Sequence, residues 1–284
     1  MILTLLTIPY PNIDPVFLEI PVPFLNTSIQ LRWYGLMYMV GFILGFFALR
    51  GLSKRRKLNL STDDLYDLLF YLILGVMVGG RLGYVLFYDL NNYLQNPASI
   101  FAIWQGGMSF HGGLIGTILA AWYISRKKKW DFWEIADLCS AAFPIGIGLV
   151  RIGNFINGEL WGRRTDVAWA MVFPDGGPMP RHPSQLYEAL LEGLVLLIIL
   201  LWMYRKNFYR GTVFWAFLGF YGLFRFLVEF VREPDIQIGY QFGFFTRGQL
   251  LTLPMLAIGM IFMVRNIRRT GSEPVRSKKK TRAH

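Results

Sequence analysis

The stretch "LCSAAFPIGIGLVRIGNFINGELWGR", residues 138–163, decides how the rest of the chain is interpreted. It begins as an apolar run and reaches Arg151 while its composition is still that of a membrane helix. Two asparagines, a glutamate, a tryptophan and a second arginine follow at once. A charge inside an apolar helix is costly to insert, so its presence there indicates a functional polar site.

The composition around this stretch is that of an integral membrane protein. The chain has 284 residues, of which 54% are hydrophobic and 17% aromatic. Several stretches of about 20 residues carry few charges, which is the length needed to span the hydrocarbon core of a bilayer. We predict an all-α, polytopic fold with seven transmembrane helices, at 34–52, 65–88, 108–125, 134–153, 186–204, 211–231 and 248–264.

The net charge of +11 is explained by membrane topology rather than by nucleic-acid binding. All nine lysines fall in four clusters, at 53–57, 126–129, 205–206 and 278–280. The first three directly follow apolar segments, and the last lies in the C-terminal tail. Because basic residues are retained on the cytoplasmic side, this pattern predicts an outside N-terminus and a cytoplasmic C-terminus. Nucleic acid is not expected as a partner.

The loops predict a single membrane domain with a small external head. Residues 1–268 form that domain, and residues 269–284 a basic, disordered cytoplasmic tail. The Gly- and Pro-rich loop 154–185 is long enough to form the head, and the N-terminal residues are expected at the membrane surface. Glycine pairs spaced one turn apart predict close helix packing, at Gly41/Gly45, Gly75/Gly79, Gly79/Gly83 and Gly112/Gly116.

Metal and cofactor chemistry finds no support in the sequence. The one cysteine, Cys139, lies in an apolar segment and can form neither an intrachain disulfide nor a cysteine-ligated metal site. No zinc-protease, P-loop or dinucleotide-binding motif is present. We therefore expect neither a metal nor a cofactor.

Polar residues concentrate in the outer part of the predicted helices, namely Tyr34, Arg81, His111, Arg151 and Arg225. Each has a structural alternative to a functional role. Arg81 could snorkel to the interface or only hold helices together, Tyr34 could be an interfacial belt aromatic, and His111 could be a structural histidine.

Helical spacing predicts that several charges meet. Three sets of residues each share one helix face: Tyr221, Arg225, Glu229 and Arg232; Gln185, Glu188 and Glu192; Arg151 and Asn154. Three arginines and three glutamates are thus expected in one polar pocket. The alternatives are that Glu188 and Glu192 are structural counter-ions and that Arg232 is an interfacial anchor.

A cationic pocket open to the outer leaflet suits a lipid phosphate. Arginine binds phosphate bidentately and keeps its charge, and amide groups can complete the anion site. Fixed cations would also stabilise a departing phosphate, and His111 or a carboxylate could serve as a base. The residues alone predict an outer-leaflet phospholipid site and leave open whether it is catalytic.

Six blocks, in order between residue 32 and about residue 235, resemble the bacterial phosphatidylglycerol–prolipoprotein diacylglyceryl transferases: "RWYGLMYMVGF", "GGRLGYVLFY", "GGMSFHGGLIG", "VRIGNFINGELWGR", "RHPSQLYEALLEG" and "FRFLVEFVREPD". A seventh, "GQLLTLPM", extends the match. The resemblance implies transfer of a diacylglyceryl group from phosphatidylglycerol to the lipobox cysteine of a prolipoprotein signal peptide, at the bacterial inner membrane. Val150 departs from the family, which often has glycine there.

The resemblance also assigns roles to residues. Arg151 is expected to bind phosphate and Arg225 to be the second essential cation, with His111 and Tyr34 also catalytic. The substrate-binding set that the resemblance implies is completed by Asn154, Glu159, Gly162, Tyr221 and Glu229. Arg81 is added as a substrate-binding candidate because of its charge within the second predicted helix.

The main rival interpretation is a transporter of phospholipids or anionic solutes. Such a protein would have polar residues through the membrane midplane, broken helices and inverted repeats. Here the polar residues are confined to one side, which favours the transferase.

Overall fold

The computed structural model describes residues 8–11, 13–22, 24, 27–102, 104, 106–206, 208–233, 240–241 and 245–270. Of the predicted tail 269–284, all but the first two residues lie outside the described residues, and so does the lysine cluster at 278–280.

Helices make up most of the described chain. They are α1 Trp33–Arg55, α2 Thr62–Phe87, α3 Leu90–Gln95, α4 Phe110–Lys127, α5 Phe132–Ile156, α6 Ser184–Glu188, α7 Leu196–Arg205, α8 Thr212–Val228 and α9 Arg247–Thr270. A π-helix, Ala189–Val195, joins α6 to α7, and short 3₁₀ helices lie at Pro97–Phe101 and Pro174–Gly176. Each predicted membrane segment coincides with one of these helical stretches, with α6, the π-helix and α7 together forming the fifth.

Five helical stretches in the described residues are long and apolar enough to cross a membrane: Trp33–Arg55, Thr62–Phe87, Phe132–Ile156, Ser184–Arg205 and Arg247–Thr270. The predicted third and sixth spans, in α4 and α8, are not among the five, and α8 is a shorter apolar helix. The helical membrane class is therefore confirmed, while the count of seven spans and their orientation stay predictions.

A β-hairpin that the sequence did not predict lies in the N-terminal segment before α1. Strand β1, Val16–Val22, pairs antiparallel with β2, Thr27–Arg32, in a register that sets Ile20 opposite Ile29. β-Branched residues favour this extended conformation. Pro21 is tolerated because each strand of a two-stranded sheet has a free edge. A second short pair joins β3, Tyr240–Gln241, to β4, Phe245–Thr246.

The chain divides into two compact units, Phe46–Cys139 and the remainder. Within Phe46–Cys139, α2 packs on α4 through glycines. A Cβ atom added to Gly79 would lie 2.8 Å from the Cα of Gly116, and closer still to the carbonyl oxygen of Gly112. The predicted packing role is confirmed for Gly75, Gly79, Gly83, Gly112 and Gly116, because each has a backbone neighbour within such a distance.

In the other unit, the prediction of close packing is wrong for Gly45, where an added Cβ would meet nothing within 4 Å in the part of the chain that the structure describes. Close approach occurs instead between α5 and the π-helix: a Cβ on Gly193 would lie 2.6 Å from the Cα of Gly148. This contact matters for the polar site, because Gly148 lies one turn before Arg151 and Gly193 directly follows Glu192.

The glycine contacts predict opposite outcomes for one substitution at two positions. Gly79→Ala should destabilise the protein by about 1–3 kcal/mol, because the methyl group overpacks the α2–α4 interface. Gly45→Ala should be neutral or slightly stabilising, because alanine has the higher helix propensity and finds open space. Thermal unfolding of both variants in detergent checks this. Equal melting temperatures for the two variants would contradict the packing role of Gly79.

Candidate functional site

A buried carboxylate lies between two arginines that were predicted to be functional. Glu188, at the end of α6, is fully buried. Its Oε2 lies 2.9 Å from Nε of Arg151 on α5, and its Oε1 accepts a hydrogen bond of 2.7 Å from Nη1 of Arg225 on α8. One side chain thus holds two guanidinium groups from two other helices.

Arg225 is held a second time by Glu229, one helical turn further on. Its Nη2 donates to Oε1 of Glu229 at 2.6 Å. The other oxygen of Glu229 accepts a hydrogen bond of 2.7 Å from the hydroxyl of Thr246, directly before α9. Arg232 also approaches Glu229, at 3.3 Å. The planar guanidinium of Arg225 therefore has two carboxylate partners and a fixed orientation.

Glu192, in the π-helix, completes the set at longer range. It is fully buried, with oxygens 3.7 Å from Nη2 of Arg151 and 3.7 Å from Nη1 of Arg225. Arg151, Arg225 and Arg232 thus meet Glu188, Glu192 and Glu229, and we call these six residues the Arg–Glu cluster. Their predicted convergence is confirmed.

The π-helix, which sequence reasoning did not predict, lies at this cluster. Its hydrogen bonds run from residue i to i+5, and such segments are rare and frequent at functional sites. It carries Glu192 and Gly193, so it supplies both a carboxylate and the small residue that packs on α5. A regular helix was predicted here because residue spacing alone does not distinguish the two forms.

The loop after α5 is fixed by amide side chains. Asn154, almost fully buried, donates from Nδ2 to Oε1 of Glu159 at 2.8 Å. Gln185 donates from Nε2 to the main-chain carbonyl of Glu159 at 2.5 Å. The predicted residues Asn154 and Glu159 thus contact each other. Asn154 is buried, whereas Glu159 is exposed.

Gly162 and Arg163 connect the predicted head to the end of α8. An added Cβ at Gly162 would lie 2.5 Å from the carbonyl oxygen of Val231, so a larger residue would not fit. Arg163 donates from Nε to the carbonyl of Arg232 at 2.8 Å and from Nη2 to that of Glu229 at 3.1 Å. A cation at a helix C-terminus is also favoured by the helix dipole. From the sequence, Arg163 is noted only as the second arginine of the stretch 138–163, with no role assigned to it.

Two predicted tyrosines differ in their surroundings. Tyr221 is buried on α8, one turn before Arg225, and stacks on Phe217. Tyr34, at the start of α1, packs beside Gly153, where an added Cβ would lie 3.1 Å from its ring. Its hydroxyl is 3.3 Å from that of Tyr38. Tyr34 therefore lies next to the turn of α5 that carries Arg151 and Asn154.

Two further residues of the unit that contains the Arg–Glu cluster were not singled out from the sequence. Tyr10 donates its hydroxyl to the carbonyl of Phe155 at 2.6 Å and so helps to satisfy the end of α5. Burial raises the pKa of Tyr10, which keeps the hydroxyl protonated as a donor. Arg181 bonds the carbonyls of Gly176 and Gly162. No sequence signal identifies these contacts, because their partners are main-chain groups of other segments.

The remaining predicted residues, Arg81 and His111, belong to the unit Phe46–Cys139. Arg81 is almost fully buried on α2. Its N–H groups donate to five main-chain carbonyls at 2.5 to 3.3 Å, those of Ser99, Ile100, Ala102, Gly106 and Gly107. His111 is the second residue of α4. The expectation that Arg81 binds substrate stays a prediction, and its contacts support a structural task.

Among the described residues, no group of three or more His, Cys, Asp or Glu side chains could hold a metal ion. The three glutamates of the cluster are paired with arginines.

Comparison with known proteins identifies the family. The family model "Prolipoprotein diacylglyceryl transferase" matches residues 21–265. The chain belongs to this family. A phosphatidylglycerol–prolipoprotein diacylglyceryl transferase of Geobacter sulfurreducens is 55% identical over 90% of this chain and 96% of its own length. One of Vibrio cholerae is 50% identical over 92% of this chain and 94% of its own length.

In this member of the diacylglyceryl transferase family, removing the shared carboxylate should be costly. Glu188→Gln removes the carboxylate that contacts both buried guanidinium groups most closely and leaves Glu192, 3.7 Å from each, as the carboxylate that they share. We therefore expect a loss of about 3–5 kcal/mol in unfolding free energy. The matched control is Glu233→Gln, whose carboxylate also pairs with an arginine but whose side chain is 40% exposed. That variant should lose less than about 1 kcal/mol.

Denaturant titration in micelles measures both values. Similar losses for the two variants would contradict the central role of Glu188.

Proposed function

We propose that this protein transfers the diacylglyceryl group of phosphatidylglycerol to the thiol of the lipobox cysteine in a prolipoprotein signal peptide. The thiol loses its proton, and sulfur attacks the carbon that carries the phosphate ester. The carbon–oxygen bond breaks, its electron pair stays on the phosphate oxygen, and glycerol-1-phosphate leaves. The products are a thioether and a phosphate monoester.

The observation that carries this proposal is the Arg–Glu cluster in a chain of this family. Glu188 pairs with Nε of Arg151, while Nη2 of Arg151 is 3.7 Å from Glu192, beyond hydrogen-bonding distance. This terminal nitrogen can therefore still donate to a phosphate oxygen. Arg151 is also partly accessible, with 17% of its side chain exposed. We assign it, together with Asn154, to the phosphate of the lipid.

Arg225 has a different task in this mechanism. Its Nη groups are bound by Glu188 and Glu229, so it acts mainly through its fixed positive charge. A nearby cation favours a thiolate over a thiol and stabilises charge that develops on a leaving oxygen. We assign Arg225 to these two effects, supported by Tyr221 and Glu229. His111 assists proton removal from the thiol, and Tyr34, Glu159 and Gly162 complete the site.

We further propose seven transmembrane spans in the bacterial inner membrane, with the N-terminus and the head 154–185 outside. Seven helical stretches coincide with the predicted spans, and five of them are long and apolar enough to cross. Lysines follow the helices expected to end inside, α1, α4 and α7. Retention of basic residues on the cytoplasmic side supports this orientation.

The direct test supplies the purified protein with phosphatidylglycerol and a synthetic lipobox peptide containing one cysteine. Mass spectrometry should detect a diacylglyceryl adduct on the peptide. The adduct should disappear with an Arg151→Ala protein and with a Cys→Ser peptide. Absence of an adduct, combined with Arg151-dependent binding of phosphatidylglycerol, would overturn the transferase and favour lipid transport.

A conservative substitution tests the geometry of Arg225. Arg225→Lys keeps the charge but replaces a planar group that bridges two carboxylates by a single ammonium group. We expect kcat/KM to fall at least about 100-fold, because the cation shifts relative to the reacting atoms. Arg164→Lys, at an exposed position of the head, is the control and should retain activity. Full activity of Arg225→Lys would show that a planar cation is not required.

A further inference from the structure

Arg81 differs from the arginines of the Arg–Glu cluster in what its guanidinium contacts. A guanidinium has five N–H donors and no acceptor. Nε of Arg81 donates once, and Nη1 and Nη2 donate twice each, in every case to a main-chain carbonyl. All five donors are therefore in use. A phosphate could be bound only by releasing a carbonyl, which would be left without its donor.

Two glycines give the loop before α4 the backbone conformation that its contacts with Arg81 require. Gly106 and Gly107 both have positive φ, at 83° and 78°, and both present their carbonyls to Nη1. A Cβ at Gly107 would lie 2.8 Å from Nη1 of Arg81 and 2.8 Å from the ring of Tyr84. The ring of Tyr93 lies 5.1 Å from the guanidinium carbon. The arginine and the loop thus fix each other.

The same loop leads directly into the helix that carries His111. The N–H of Ser109 donates to the carbonyl of Gly80 at 2.9 Å, next to Arg81 on α2. The Ser109 hydroxyl then caps α4 by accepting from the N–H of Gly112 at 3.2 Å. His111 lies within this first turn. Its backbone is therefore tied to α2 through Arg81 and Gly80.

We propose that Arg81 is a positioning residue for His111: its guanidinium holds five main-chain carbonyls and thereby fixes the start of α4 and the direction of the imidazole. The carbonyls are those of Ser99, Ile100, Ala102, Gly106 and Gly107. The proposal rests on the proposed function, in which His111 assists proton removal. It assigns to Arg81 an action through the loop in place of direct phosphate binding.

Steady-state kinetics of Arg81→Met and Arg81→Lys separate these two roles. Positioning predicts that kcat falls about 10- to 100-fold while KM for phosphatidylglycerol changes less than about twofold. Lysine should not rescue, because it has three donors for five carbonyls. A rise in KM with unchanged kcat would show that Arg81 binds the lipid and would overturn the proposal.

A double-mutant cycle tests whether the effect passes through His111. In a His111→Gln background, Arg81→Met should reduce the residual activity by less than about twofold, because the group that it positions is gone. A merely structural loss would reduce the active fraction equally in both backgrounds. Independent, multiplicative losses would therefore overturn the proposal.

A measurement on the full-length protein that does not depend on catalysis completes the test. Hydrogen exchange at residues 106–113 should accelerate in Arg81→Met and in Gly107→Ala. Gly106→Ala is the matched control, since its φ is also positive but an added Cβ meets no atom of the described residues within 4 Å. It should change exchange less than Gly107→Ala. Unchanged exchange in Arg81→Met would overturn the positioning role.

These outcomes keep the two proposals separate. A wild-type protein that forms no adduct would overturn the proposed transferase. Accelerated exchange in Arg81→Met would still support control of the start of α4 by Arg81.

Discussion

The shared carboxylate of Glu188 is the interaction on which the rest of the polar site depends. Two guanidinium groups repel each other strongly where water is excluded. Glu188, fully buried, contacts Arg151 with one oxygen and Arg225 with the other. Each ion loses hydration, so only close pairing with hydrogen bonds makes the arrangement stable. The positions of α5, α6 and α8 are thereby coupled, because each contributes one of the three charges.

In the proposed function, the cluster binds the phosphate through oriented donors rather than through excess charge. Its three arginines and three glutamates have formal charges that cancel when all are ionised. The donors for a phosphate are then the arginine N–H groups that no glutamate contacts within hydrogen-bonding distance, above all the Nη2 group of Arg151. The glycine contact between α5 and the π-helix sets the distance from Arg151 to Glu192. Backbone packing thus determines how much of Arg151 stays available to a ligand.

Residue spacing predicted the helices and the convergence of the cluster, because an apolar membrane helix has a fixed period and buried charges must find partners. It did not predict the hairpin Val16–Arg32, because the residue pattern of such short strands is similar to that of an irregular surface segment. The π-helix was also missed, since i+4 and i+5 hydrogen bonding produce similar residue patterns. Contacts to main-chain carbonyls, such as those of Arg163 and Arg81, leave no signature in the sequence, since any residue type provides the acceptor.

The partner of a buried arginine therefore says more about its role than its depth in the membrane. Carbonyl partners, as at Arg81 and Arg163, belong to the fold and cannot leave without exposing unpaired backbone groups. Carboxylate partners, as at Arg151, offer the same chemistry as a phosphate: an anionic oxygen that forms an ion pair with the guanidinium. In the proposed mechanism, a substrate phosphate joins such partners at an N–H group beyond hydrogen-bonding distance of Glu192, the Nη2 of Arg151. In the proposed mechanism, Glu188 and Glu192 therefore orient Arg151 for the phosphate of the lipid.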